Sequence, residues 1–318
     1  MLAVPSALWV MLAALWLALL IDVLWGEPPA WMHPVVGMGQ YLAWCGRWLL
    51  TLRPVLAFNF GALSWLLGAA SVGTIAWAVQ TSMLRELPPV FATVLLALWL
   101  KPLLAWRMLR DEVGAVETAL QQSLEAGRAQ LARLVSRDVS ALTESQVRES
   151  AIESLAENLN DSVVAPIFWF VLLGLPGAAV YRFANTADAM WGYRGRWEWA
   201  GKWAARLDDV LSWLPARLTA LLLATVAGGL RRRRLPSLRQ QARLTPSPNS
   251  GWPMAAMALA LGTALHKPGV YVLNPAGRAP LAVDTLRALS YASKSVLALM
   301  LLVTLATLFI AMIEGNLA

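Results

Sequence analysis

The chain has 318 residues, of which 58% are apolar and only 14% are charged, and its formal net charge is +7. Soluble domains carry about 25% charged residues, so the apolar excess must face something other than water. This composition predicts an integral membrane protein. It disfavours a disordered chain and a nucleic-acid-binding module, and the single cysteine, Cys45, excludes an internal disulfide.

Uncharged runs of roughly 20 residues can cross a bilayer as helices. Six apolar runs of about this length or longer lie at 2–21, 54–84, 87–105, 162–181, 210–230 and 295–313; the third is interrupted by Lys101 and the fifth contains Arg217. They predict an all-α, polytopic membrane protein with about five to six spanning or re-entrant helices. Pro166 and the sequence Gly174 to Gly177 are expected to break the fourth run, which either crosses or dips in and returns. The uncharged run 251–265 is short for a crossing and favours a re-entrant or interfacial element.

The segments between these runs are more polar, and we treat the chain as a single membrane-embedded domain, 1–318. We predict an amphipathic, cytoplasmic helical excursion at 106–160, a polar substrate or metal loop at 182–209 and a basic cytoplasmic loop at 231–253. Lys and Arg are more numerous in 23–54, 106–161 and 230–291 than in the other loops, which places these three segments in the cytoplasm. The block Arg231 to Arg234 is then a topology anchor.

More than half of the 19 carboxylates lie between residues 138 and 209. Glu149, Glu153, Glu157 and Asp161 are spaced four apart, so on a helix they form one slowly winding stripe. Like charges at this spacing destabilise a helix unless a cation compensates. One interpretation is a divalent cation, Mg²⁺ in particular. The other is a solvated acidic face paired with Arg133, Arg137 and Arg148.

A second cluster mixes both signs of charge with amides between two apolar runs. It contains Asn185, Asp188, Tyr193, Arg194, Lys202, Arg206, Asp208 and Asp209. This composition suits an anionic ligand held by Arg and Lys together with a metal held by Asp. The alternative is an interfacial loop whose tryptophans, Trp191, Trp197, Trp199 and Trp203, lie at headgroup depth.

Three further features stand near the ends of apolar runs. Arg217 lies inside one, so it needs a carboxylate or a bound anion as partner. The segment from Asp22 to Gly39 contains Glu27 and His33 among prolines and glycines, which suits a shaped ligand loop. Asn249 lies in a turn that could present amides to a phosphate.

Taken together, these strings resemble the CobD/CbiB family of adenosylcobinamide-phosphate synthases. The resemblance rests on Gly26-Glu27-Pro28-Pro29, His33 to Gly39, Ser154 to Asp161, Asn185 to Met190, Gly192-Tyr193-Arg194, Ala205 to Asp209, Pro215 to Leu218 and Ser247 to Ala256. It covers nearly the whole chain in order. His266 to Gly269 departs from the glycine-rich sequence of the family at this position.

The resemblance implies an ATP-dependent ligase of cobalamin biosynthesis. Such an enzyme joins a propionate of adenosylcobyric acid, a corrinoid, to (R)-1-amino-2-propanol O-2-phosphate or a related amino alcohol. It implies ATP and Mg²⁺, an inner-membrane location with the site at the cytoplasmic face, the lipid bilayer as surroundings, and contact with other cobamide-assembly membrane enzymes. We expect no nucleic-acid partner.

Residue roles follow from the resemblance as hypotheses. Metal and phosphate handling is assigned to Glu153, Glu157, Asp161, Asp188 and Asp208. Phosphate binding is assigned to Arg194, Lys202, Arg206 and Arg217, and substrate orientation to Asn185, Tyr193 and Asn249. The general base is Asp209, Glu27 or His33. The alternatives are a membrane transporter, an AmpE-like sensor and a Mg²⁺-dependent intramembrane prenyltransferase.

Overall fold

A computed structural model describes residues 4–228 and 234–317. Arg231, Arg232 and Arg233 of the predicted basic loop lie outside the described residues. Within the described part the chain forms these helices: α1 (Val4–Trp25), α2 (Pro34–Leu49), α3 (Pro54–Glu86), α4 (Pro89–Leu100), α5 (Trp106–Leu120), α6 (Leu124–Leu131), α7 (Glu144–Leu159), α8 (Ala165–Trp191), α9 (Lys202–Val226), α10 (Arg234–Ala242), α11 (Gly251–Leu261) and α12 (Ala282–Leu317). A short antiparallel hairpin pairs β1 (Leu265–Lys267) with β2 (Tyr271–Leu273).

Six stretches of the described residues are helical, long and apolar enough to cross a membrane. They are 7–25, 54–86, 89–120, 144–191, 202–226 and 282–313. Each overlaps one of the six predicted apolar runs. The prediction of an all-α, polytopic fold is confirmed, and the chain is a multi-pass membrane protein.

Local chemistry explains where several of these helices begin. Pro54 and Pro89 each occupy the first position of a helix, where the missing backbone N–H has no partner to lose. Helix α7 begins with a capping box: the Thr143 hydroxyl accepts from the Gln146 backbone N–H, and the Gln146 side chain accepts from the Thr143 N–H. This cap fixes the start of the helix that carries the acidic stripe.

The expected break after Ser162 takes a different form. Pro166 does not interrupt the helix, because it follows a π-helical turn, Asn160–Val164, that accommodates the missing N–H. The chain bends instead at Gly174, whose φ of 70° and ψ of −159° are open to glycine alone. Segment 165–191 is therefore one kinked helix.

Two predicted loops are shorter than expected. The polar loop 182–209 is helical on both sides, and only Gly192 to Gly201 lies outside α8 and α9. Packing of α8 on α3 buries Ala184 and Ala187 and carries the helix through this polar sequence. The loop that begins after α1 ends at His33, so Gly37 and Gly39 lie within α2.

The chain forms two compact units. The first unit comprises Met1–Ala105, Ala165–Leu211 and Leu301–Ala318, and in it α1 packs on α4 and α3 packs on α8. The second unit comprises Trp106–Val164 and Ser212–Met300. Its core is α7, which packs against α5, α6, α11 and β1.

Candidate functional site

The second unit contains a polar cavity of about 180 Å³, which we call the α7 cavity. Helix α7 forms one wall, the segment before it forms a second, and the β1–β2 hairpin forms the third. The polar lining residues are Ser136, Arg137, Ser150, Glu153, Ser154, Glu157, Asn158, Lys267 and Tyr271.

The wall formed by α7 follows directly from helical spacing. Ser150, Ser154 and Asn158 are four residues apart, and Glu153 and Glu157 run beside them, so all five share one face. Glu153 is only 5% exposed and Ser150 and Ser154 are also buried. The acidic stripe therefore faces the protein interior here, and the interpretation as a solvated acidic face is wrong for these residues.

The cavity contains charged side chains of both signs, and some of their polar atoms form no hydrogen bond within the described residues. Arg137 donates through Nη2 to the Ser150 hydroxyl, and the same nitrogen lies 3.5 Å from Glu153 Oε2. Glu153 Oε1 and the Nε and Nη1 atoms of Arg137 are buried, and none has a hydrogen-bond partner among the described residues. Buried polar groups are normally satisfied, so these atoms indicate a place for a polar ligand or water.

The hairpin delivers the remaining polar groups. Lys267 pairs directly with Tyr271 across the two strands, so both side chains leave the same face and reach the cavity. Burial, followed by the neighbouring Glu153 carboxylate, raises the pKa of the Tyr271 phenol well above its ordinary value. Tyr271 therefore stays protonated and can donate a hydrogen bond.

The other members of the acidic stripe have different surroundings. Glu149 accepts from the backbone N–H of His266 and lies 2.8 Å from its Nδ1, and so fastens β1 to α7. Asp161 accepts from the Asn160 amide at 2.8 Å in the π-helical turn. Of the assigned metal ligands in this unit, only Glu153 and Glu157 line the cavity.

Among the described residues, no three His, Cys, Asp or Glu side chains are grouped closely enough to hold a metal ion. The assigned carboxylates therefore do not build a metal site from protein ligands alone. They fit only an ion such as Mg²⁺ that takes one or two carboxylates and completes its shell with substrate phosphate oxygens and water.

A second polar cluster lies in the first unit, where α1 ends. Lys101 Nζ is 2.9 Å from Glu27 Oε2 and 3.4 Å from Asp22 Oδ1, and both Lys101 and Asp22 are buried. Glu27 Oε2 is also 3.1 Å from His33 Nε2. The two residues predicted in this loop are thus brought together, with a buried lysine that the sequence analysis did not single out.

Hydrogen bonding defines the state of His33. Its Nδ1 accepts from the Val35 N–H at the start of α2, so Nε2 carries the proton and donates to Glu27. Both ring nitrogens are committed, which leaves His33 as a residue that orients Glu27. Glu27 Oε1 is buried and accepts no hydrogen bond within the described part of the chain, so Glu27 is the better candidate base of the two.

The remaining predicted residues of the first unit surround the loop between α8 and α9. Asn185 and Asp188 lie near the end of α8, and Asp208 and Asp209 are partly buried on α9. Tyr193, Arg194 and Arg206 are exposed, and Lys202 lies 3.6 Å from Glu198 and over the Trp199 ring.

The tryptophans of this loop are not all an interfacial belt. Trp191 is 1% exposed and stacks on Trp197 with ring centroids 5.8 Å apart. Trp199 is exposed and suits headgroup depth. The belt interpretation is therefore wrong for Trp191, which belongs to the core of the first unit.

Two assigned residues of the second unit bind each other. Arg217 donates to Asn249 Oδ1 at 2.8 Å and to the Pro248 carbonyl at 3.2 Å. Its guanidinium also lies over the rings of Trp213 and Trp252. These contacts fasten α9 to the turn before α11 and account for a charge inside an apolar run.

The first unit also contains an apolar cavity of about 320 Å³ between α2, α3, α4 and α8. Its lining includes Met38, Val72 and Phe183. The Tyr41 hydroxyl is already donated to the Ser64 carbonyl, and burial, together with Cys45, raises the pKa of Tyr41 to about 12. This cavity offers little to a phosphate or a carboxylate.

Sequence reasoning missed Lys267 and Tyr271 as lining residues, and it considered Arg137 only as a partner of a solvated face. One available signal was the second stripe, Ser150, Ser154 and Asn158, directly beside the acidic one. Nothing local in the sequence indicated the hairpin residues, because their position depends on pairing with a helix more than 100 residues away.

These features define a multi-pass membrane protein that holds a small polar cavity with opposed charges. The family model described as CobD/Cbib protein matches residues 15–313. The chain belongs to this family, as its sequence motifs predicted, and thus to the class of cobalamin biosynthesis proteins.

Named relatives agree over most of the chain. A probable cobalamin biosynthesis protein CobD of Pyrococcus furiosus is 42% identical over 275 residues, covering 86% of this chain and 90% of the relative. The cobalamin biosynthesis protein CobD of Brucella anthropi is 37% identical over 324 residues, covering 94% and 97% respectively. No solved structure matches the chain.

Proposed function

We propose that the chain is an ATP-dependent ligase that joins adenosylcobyric acid to (R)-1-amino-2-propanol O-2-phosphate or a related amino alcohol, giving adenosylcobinamide phosphate. The observation that supports this most is the α7 cavity, where Arg137 and Lys267 share a small space with Glu153 and Glu157. Such a mixture of charges suits substrates that carry phosphate, carboxylate and amine groups.

The reaction forms an amide C–N bond between the corrin propionate and the amine. The carboxyl carbon must first be activated at the expense of ATP, most simply as an acyl phosphate. The amine nitrogen then attacks, the C–O bond to phosphate breaks, and a proton leaves the nitrogen. Cationic side chains stabilise the charge that develops on the oxygens, and positioning of the two reactants lowers the entropic barrier.

A base must take the proton that leaves the nitrogen. Glu27, Asp209 and His33 are the candidates, and the hydrogen bonds of His33 favour Glu27 over it. The Lys101 ammonium lies 2.9 Å from Glu27 Oε2 and holds that side chain in place. In this account His33 and Lys101 position Glu27.

Magnesium bound to ATP would neutralise charge on the phosphate oxygens. Glu157, Asp161, Asp188 and Asp208 are the carboxylates proposed to hold it, each in company with those oxygens, because the described residues contain no three-carboxylate site. Arg194, Lys202 and Arg206 remain proposed phosphate ligands, and Asn185 and Tyr193 remain proposed to orient substrate. Arg217 and Asn249 are already bound to one another, which favours a structural role.

The concentration of Lys and Arg in 106–161 and 230–291 supports a site at the cytoplasmic face of the inner membrane. A bacterial strain that lacks its own enzyme of this step should accumulate cobyric acid. Expression of this chain should remove the accumulated cobyric acid and restore cobinamide phosphate, measured by mass spectrometry of extracted corrinoids. A transporter or sensor would leave the ratio of cobyric acid to cobinamide phosphate unchanged.

A further inference from the structure

The α7 cavity contains binding groups for two opposite charges, and this arrangement specifies its ligand more closely. We propose that the cavity binds the amino-alcohol phosphate itself, and not the nucleotide, with the phosphate at Arg137 and Lys267 and the ammonium at Glu153. The inference rests on the proposed function, because it assigns a place to one of its substrates.

The phosphate end is indicated by unused cationic donors. Arg137 keeps Nε and Nη1 without hydrogen-bond partners in the described residues, and both atoms are buried. Lys267 is exposed at the rim of the same cavity and can close over an anion. Guanidinium and ammonium groups together form strong, charge-assisted hydrogen bonds to phosphate oxygens.

The ammonium end is indicated by Glu153. Its side chain is 6% exposed, and Oε1 has no donor within the described part of the chain. The contact to Arg137 is 3.5 Å long and involves the other oxygen, so it leaves Oε1 available. A buried carboxylate oxygen without a donor is costly, and a primary ammonium supplies the missing donor together with the compensating charge.

The same surroundings argue against a divalent cation at Glu153. Arg137 and Lys267 line the same small space, and their positive charges oppose a metal ion beside this carboxylate. An organic ammonium carries a single charge and is joined to an anion that faces the two cations. A zwitterion thus matches the cavity where a metal does not.

Size separates the amino-alcohol phosphate from ATP. The cavity measures about 180 Å³. Sites for drug-sized ligands usually measure about 300–1,000 Å³, so a nucleotide or a corrin does not fit inside. A short-chain amino-alcohol phosphate does, and the rest of the polar lining includes Ser154, Asn158 and Tyr271.

The test is isothermal titration calorimetry on the purified, detergent-solubilised chain without ATP or corrinoid. The probes are 1-amino-2-propanol O-phosphate and isopropyl phosphate, which lacks the amine. The wild type should prefer the first by about 10- to 100-fold, as expected for one hydrogen bond to a buried charge. Glu153→Gln should lose this preference while still binding isopropyl phosphate.

A second variant guards against misfolding at the buried position. Lys267→Gln changes an exposed residue and should weaken both probes by a similar factor of about tenfold. Glu125→Gln and Arg243→Gln alter exposed charges of the same unit that do not line the cavity, and they should bind like the wild type.

Retention of the amine preference in Glu153→Gln would overturn the proposal, and so would displacement of the amino-alcohol phosphate by ATP in competition. These outcomes are separable from failure of the ligase proposal. If the wild type synthesises the amide, and Glu153→Gln and Lys267→Gln bind the amino-alcohol phosphate as the wild type does, the ligase proposal stands and the proposed binding site is wrong. If the binding results are as predicted but the chain makes no amide, the proposed binding site stands and the ligase proposal is wrong.

Discussion

Lys101 is a charged residue that membrane insertion alone would disfavour. It lies where α4 gives way to a short 3-10 turn, is 4% exposed, and faces two carboxylates, Asp22 and Glu27. A buried ion pair contributes little net stability, but removal of one partner strands the other charge. The cluster therefore constrains which single substitutions the first unit can tolerate.

Replacement of Lys101 by Met should destabilise the chain by about 3–5 kcal/mol, because Asp22 and Glu27 lose the ammonium between them. Cys45 is buried and is the only cysteine, so its reaction with a fluorescent maleimide during heating reports unfolding of the first unit. The midpoint of this reaction should fall in Lys101→Met.

The matched control is Lys294→Met, which removes an exposed lysine from α12. The double variant Asp22→Asn with Lys101→Met removes one carboxylate as well and should regain part of the lost stability. An unchanged midpoint in Lys101→Met would contradict a stabilising role for the cluster.

For individual residues, the sequence predicts which side chains share a helix face better than it predicts which residues contact them. The acidic stripe is visible in the sequence because helical spacing fixes which residues share a face. Of its cationic neighbours, Arg137 could be named from the sequence and lies 3.5 Å from Glu153, whereas Lys267 could not, since it lies on a distant hairpin. The metal hypothesis for Glu153 rested on the four-residue spacing of the stripe and on the family resemblance, and the structure adds Arg137 and Lys267 as neighbours in the same cavity.

Helix α8 bends at Gly174, and a side chain of α3 forms a hydrogen bond at the bend. Its bend at Gly174 frees the Leu175 backbone N–H, and the Gln80 side chain of α3 accepts from it at 2.7 Å. A Cβ built on Gly174 would lie 2.5 Å from Gln80 Oε1, so the glycine and the glutamine fit each other. The bend is thus a feature of two helices.

Gln80→Leu should leave the Leu175 N–H without a partner and destabilise the chain by about 1–3 kcal/mol. The Cys45 maleimide reaction measures this loss as a lower melting midpoint. Ser82→Ala, at an exposed position of the same helix, serves as the control and should melt like the wild type. A midpoint unchanged by Gln80→Leu would show that the bend does not depend on the glutamine.

Elements with long apolar runs could be predicted from the sequence, and elements that depend on packing could not. All six spans were located, because length and a low content of charged residues suffice. Helix α2 was missed since Gly37 and Gly39 indicate a loop, whereas burial of Leu42, Cys45 and Leu49 stabilises the helix. The hairpin was missed because each strand has only three residues.

At the scale of the whole molecule, each of the two compact units contains some of the candidate functional residues. The first contains Glu27, His33, Lys101 and the residues around the α8–α9 loop, and the second contains the α7 cavity. Family membership covers both, since the match extends from residue 15 to residue 313.

The most direct test of the ligase proposal is synthesis of the amide by the purified chain in liposomes. With adenosylcobyric acid, 1-amino-2-propanol O-phosphate, ATP and Mg²⁺, mass spectrometry should detect adenosylcobinamide phosphate together with phosphate released from ATP. Omission of ATP or of the amine should abolish the product. An inserted, folded chain that yields no amide from the complete mixture would contradict the account.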